Sequence, residues 1–159
     1  MRKLARFNAR SSRGFTLIEV LIAILVLAFG LLGFALLQTM NVRFVQSANY
    51  RTQATNLAYD LIDQMRSNRY LVTQYTAATF AAGSVTPAGA CAYPTGAAVP
   101  VAQNIARWQC QVAKALGDKA AATVTYVNGV ATVTISWGDQ RWDKDNPDTI
   151  TSFALRTEI

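Results

Sequence analysis

The chain has 159 residues, of which 52% are apolar, enough for one modest domain with something elongated attached and too few for two comfortable domains. Its formal charge of +6 is concentrated at one end: Arg2, Lys3, Arg6, Arg10 and Arg13 fall within the first thirteen positions, and beyond residue 14 ten basic side chains face nine acidic ones. The remainder is close to neutral, which argues against nucleic acid as its partner, and the absence of histidine removes the commonest general base and the commonest zinc ligand together.

From Phe15 to Leu37 the sequence FTLIEVLIAILVLAFGLLGFALL carries a single ionisable side chain, Glu19. As a helix at about 1.5 Å per residue it reaches about 34 Å, enough to cross a hydrocarbon core. Basic residues precede it and few follow, so the positive-inside rule puts the N-terminus in the cytoplasm and the rest of the chain outside. A secretory signal is cut after its apolar core at small residues, whereas QTMNVRF after Leu37 offers no such site, so the helix is expected to stay in the mature protein. An acid in a membrane helix costs about 2.5 to 3.5 kcal/mol on insertion scales. For Glu19 two readings stand: it lies shallow enough to reach the interface or is carried neutral, or it awaits a cation.

The stretch RGFTLIEVLIAILVLAFGLLG resembles the prepilin signature of type IV pilins and type II secretion pseudopilins: glycine, then phenylalanine, then glutamate as fifth residue of the mature chain. The resemblance implies cleavage between Gly14 and Phe15 by a prepilin peptidase, N-methylation of Phe15, and pairing of Glu19 with the terminal amine of a neighbouring subunit. Two embedded charges that are costly singly become tolerable as a pair.

Residues 38–69 contain neither Gly nor Pro, and Ala54, Leu57, Ala58, Leu61, Ile62 and Met65 recur at helical spacing, predicting an amphipathic continuation that packs one face on a domain. Asp60, Asp63, Arg66 and Arg69 fall largely off that stripe and are expected in solvent. Gly30 and Gly33 interrupt the apolar segment, each about 1 kcal/mol less favourable than alanine, which marks a site of helix flexibility or of close helix approach. Many major pilins carry proline near here, where this chain has Leu36.

Residues 71–100 turn to Ala, Thr, Gly and Pro and read as surface loop. Ile105, Trp108, Val112 and Leu116, followed by Gly117, predict a short amphipathic helix over 103–116. Cys91 and Cys110 lie on one side of the apolar segment and read as one disulfide closing a loop worth about 3 kcal/mol, with two free buried cysteines as the alternative. Ala122–Val127 and Val130–Trp137 flank Asn128-Gly129, predicting a type I′ hairpin, and Thr149–Glu158 predicts a third strand. The expected fold is therefore α+β and pilin-like: a long N-terminal helix, transmembrane in its first half, packed on a small antiparallel sheet.

Asp139, Asp143, Asp145 and Asp148 cluster in GDQRWDKDNPD without the glycine and distal glutamate of an EF-hand, so a solvated turn is expected, with neither metal nor cofactor. Arg107, Trp108, Arg141 and Trp142 are the residues a DNA-binding patch would use. The mature length of 145 residues and the runs ALLQTMNVRF and RWQCQVAKAL before TVTYVNGVATVTISW are most similar to minor pilins of type IV pili. That likeness implies assembly by contact rather than catalysis, with other minor pilins, the major pilin, the inner-membrane assembly platform and a tip adhesin as partners. A type II secretion pseudopilin and a DNA receptor are the alternative readings. The expected organisation is a leader (1–14), a transmembrane helix (15–37), its amphipathic continuation (38–69) and a periplasmic domain (70–159).

Overall fold

The structure, a computed structural model, describes residues 14–87, 91–96, 99–139 and 149–159. Helix α1 runs Leu17–Ser67, and two compact units divide the chain between Arg43 and Phe44. In the first unit every described residue is exposed, including Phe15, Leu25, Phe29 and Leu32. The helix is long and apolar enough here to cross a membrane.

In the second unit the remainder of α1 supplies one wall of the core. Ala54, Ala58, Leu61, Ile62 and Met65 are buried and Leu57 partly so, while Asp60, Asp63, Arg66 and Arg69 are exposed. Burying each large member contributes about 1.5–3 kcal/mol, and the two alanines allow close approach. A 3₁₀ helix follows over Arg69–Ala78. This corrects the loop expected from residue 71. A 3₁₀ helix has three residues per turn, so Val72, Tyr75 and Ala78 share one face, and all three are buried. The Tyr75 hydroxyl accepts from the Asn68 side-chain amide at 3.0 Å, pinning the junction with α1.

Helix α2, Val101–Leu116, begins directly after the extended N-cap Pro100, two residues earlier than the sequence reading, and buried Val101 extends the stripe of Ile105, Trp108 and Val112 by one turn. Gly117 closes it at φ 89°, its N–H donating to the Ala113 carbonyl at 2.9 Å. Buried Trp108 stands edge-on to Phe80, with ring centroids 6.5 Å apart.

The sheet has order β1-β2-β3, all antiparallel: β1 Ala121–Val127, β2 Val130–Gly138 and β3 Ile150–Glu158. Asn128 and Gly129 have φ 50° and 80°, the positive pair that a type I′ turn demands. Alternation sorts the faces. Ala131, Val133, Ile135 and Trp137 of β2, Ala122 and Val124 of β1, and partly Phe153 and Leu155 of β3 join the core with α1. On the other face stand hydroxyl pairs, Thr123 opposite Thr134 and Thr125 opposite Thr132. The two-layer α+β architecture is the one the sequence predicts.

Outside the sheet proper, Thr79 and Phe80 pair with β1. Phe80 exchanges both backbone hydrogen bonds with Ala122, at 2.9 and 3.0 Å, and the Thr79 hydroxyl accepts from the Val124 N–H at 2.9 Å. At the far end of β2 the buried carboxylate of Asp139 accepts the Ser47 hydroxyl at 2.7 Å, tying α1 to the end of the central strand over 92 residues of chain.

Candidate functional site

Gly14, Phe15 and Thr16 precede the first turn of α1 in extended backbone, and Phe15 is 84% exposed. Thr16 caps the helix. Its hydroxyl accepts the Glu19 N–H at 3.3 Å, and its carbonyl accepts from the N–H groups of Glu19 at 3.1 Å and Val20 at 3.3 Å. Sequence reasoning passed over Thr16, although Thr-x-x-Glu ahead of an apolar run is a helix-start signature. Glu19 thus stands in the first turn, where an acid is favoured by the helix dipole.

Phe15, Glu19, Val20, Ala23, Ile24 and Leu27 line a shallow concavity of about 480 Å³ on one face of the helix. Glu19 is its one charged lining residue, and the other lining side chains are apolar. Around it, exposed apolar side chains continue along the unit to Leu37 and Met40. A surface of this extent needs lipid or other subunits to cover it. Gly14 and Phe15 thus stand just ahead of the helix, and Glu19 follows in its first turn.

α1 is helical through Gly30 and Gly33, and a Cβ placed at either would meet no atom within 4 Å. Among the described residues nothing outside the helix's own backbone approaches these glycines closely.

In the second unit Cys91 and Cys110 form a disulfide with Cα atoms 5.6 Å apart, which fastens the segment after residue 90 to α2. Cys91 has φ 52°, an uncommon conformation for a side chain with a Cβ. Nearby, the Arg107 guanidinium lies 3.6 Å from the centroid of the Tyr93 ring, a stacked cation–π contact.

For a nucleic-acid patch the structure supplies a correction: Trp108 is wholly buried and donates its indole N–H to the Leu57 carbonyl at 2.8 Å, so it has no face on which a base could stack. Arg141 and Trp142 lie outside the described residues, as do Asp143, Asp145 and Asp148 of the acidic run. Asp139 is buried and engaged with Ser47, where a solvated turn had been expected. Among the described residues no three His, Cys, Asp or Glu side chains come together as metal ligands.

Comparison with protein-family models matches residues 9–35 to the prokaryotic N-terminal methylation motif, typical of type IV pilin-like prepilins. That motif implies processing by a prepilin peptidase and a role tied to a pilus or pseudopilus, and with the single apolar helix it fits a membrane-anchored protein. Neither the comparison with curated proteins nor that with solved structures returns a match.

Proposed function

We propose that this chain is a minor pilin, most similar to the type IV pilus modification protein PilV, that helps to initiate type IV pilus assembly in a priming or tip complex. The observation that carries the reading is the methylation motif over 9–35 running into a fully exposed apolar helix whose single acid is Glu19. Residues 1–14 are the leader, residues 15–37 cross the inner membrane and 70–159 form the periplasmic domain, with 38–69 connecting them. Cleavage frees the Phe15 amine, methylation modifies it, and Glu19 of one subunit pairs with that amine in the next. Its work is contact with other minor pilins, the major pilin, the assembly platform and a tip adhesin, with no reaction catalysed. Twitching motility and adhesion follow from the pili it starts.

The test is the mass of the N-terminal peptide recovered from membranes of cells with and without the prepilin peptidase. A methylated terminus at Phe15, seen only with the peptidase, supports the reading, and an intact Met1 terminus in both strains sinks it. Deleting the gene separates the machines: loss of surface pili supports the pilus reading, whereas retained exoprotein with normal pili replaces it with a secretion pseudopilus.

A further inference from the structure

The two edges of the sheet are treated differently. On β1 the outward backbone groups of Ala122 and Val124 are bonded by Phe80 and Thr79. On β3 the opposite holds. Ile159 donates to the Gly129 carbonyl at 2.9 Å and Asp139 to the Thr149 carbonyl at 3.2 Å, bracketing the β2–β3 ladder. Because antiparallel pairing alternates, Thr151, Phe153, Leu155 and Thr157 turn their backbone groups toward β2, and Ser152, Ala154, Arg156 and Glu158 turn theirs away. The N–H groups of these four residues have no partner among the described residues.

Natural sheets usually blunt such an edge with charged side chains, above all lysine, with proline, a bulge or a very short strand. β3 has nine residues in unbroken register and contains no proline, lysine or glycine. Its inward side chains Phe153 and Leu155 remain only half-buried, and among the described residues no further strand pairs with β3 on that side. On the solvent face Arg156 and Glu158 are exposed, two residues apart, and neither has an ion-pair partner among the described residues.

We infer that the open edge of β3 receives an extended segment of a different pilus subunit, which adds to the sheet as a fourth strand. The inference rests on the assembly role proposed above. Only a β-strand can satisfy a row of alternate backbone donors and acceptors, and apolar side chains on that strand would cover Phe153 and Leu155. The charges argue for a different subunit over a second copy. An antiparallel copy centred on Ala154 sets Arg156 against Ser152 and Glu158 against Ile150, leaving both charges unmatched. The register that pairs Arg156 with Glu158 overlaps only residues 155–159, and a parallel copy in register sets Arg156 beside Arg156. The fitting segment carries an acid beside Arg156 and a base beside Glu158.

The experiment uses the full chain, purified in detergent alone and together with the other subunits bearing the N-terminal methylation motif, identified by mass. Amide hydrogen exchange of Ser152, Ala154, Arg156 and Glu158 is expected to slow at least about tenfold in the complex and to be fast in the chain alone. Ser152→Pro removes an outward N–H that the sheet does not use, and Ala154→Lys keeps the backbone but blocks the edge. Each is expected to cut recovery of partner subunits at least about fivefold while the melting midpoint of Ala154→Lys stays within about 2 °C of the parent. If partners are recovered at parental levels with folded Ala154→Lys and the four amides stay fast, the inference is overturned and the assembly role stands. If the processed chain recovers no pilin subunit at all, both fall. A dimer of this chain alone that dissociates in Ala154→Lys overturns the choice of a different subunit.

Discussion

The indole N–H of Trp108 donates to the carbonyl of Leu57 across 2.8 Å, joining α2 to α1 over 51 residues of chain. Leu57 lies within α1, so its carbonyl serves the helix and the indole at once. Trp108 also packs against Phe80, which holds the edge of β1, so one side chain links three elements.

Trp108→Phe keeps an aromatic ring but deletes the donor and some volume, and is expected to lower stability by about 1–3 kcal/mol; Trp108→Ala should cost about 3–5 kcal/mol. Denaturant unfolding of the full chain in detergent, followed by circular dichroism, reads both. Equal small losses for the two variants would show that the site collapses around the missing ring.

Ser47→Ala withdraws the 2.7 Å hydrogen bond to buried Asp139, leaving its Oδ2, among the described residues, only the long 3.5 Å contact from the Thr151 hydroxyl. The other oxygen, Oδ1, already lacks a partner among the described residues. A loss of about 1–3 kcal/mol is expected, measured by the same unfolding curves, with Ser47→Thr restoring most of it.

Reduction of the Cys91–Cys110 bond, or Cys110→Ser, frees a loop of nineteen-residue separation. The chain-entropy model puts the loss at about 2–4 kcal/mol. Melting with and without reductant should differ in the parent and coincide in the variant.

Glu19→Gln is expected to abolish incorporation into filaments while leaving the unfolding free energy unchanged within about 0.5 kcal/mol. The Glu19 side chain makes no hydrogen bond or ion pair among the described residues; only its backbone N–H is engaged, by Thr16. Immunoblots of sheared surface pili against whole-cell lysate separate the two quantities. Gly129→Ala, by contrast, strains a turn held at φ 80° and should cost about 1 kcal/mol in the unfolding curve.

Sequence periodicity was enough for the elements that repeat. The stripe from Ala54 to Met65, the Asn128-Gly129 hairpin and the stop at Gly117 each follow a period or a turn requirement that residue types express directly. The 3₁₀ helix escaped because Val72, Tyr75 and Ala78 recur every three residues, between the helical and strand periods, within a stretch whose composition resembles loop. The pairing of Thr79 and Phe80 with β1 is a single bridge and has no period at all. Near the N-terminus, Gly14, Phe15 and Glu19 could be singled out because they fall within six residues of one another, so the signature they resemble is local. Asp139 and Ser47 were not, because chain separation hides a contact made only by folding.

The bonding of Thr79 and Phe80 onto β1 gives the sheet a valence of one. Beyond Ala122 and Val124 that edge offers only Tyr126 before the turn, too short a footing for another strand. Two molecules joined through β3 would therefore have no edge left to offer a third, and the sheets cannot concatenate into a cross-β ribbon. The domain is thereby spared the irreversible stacking that an open second edge would provide.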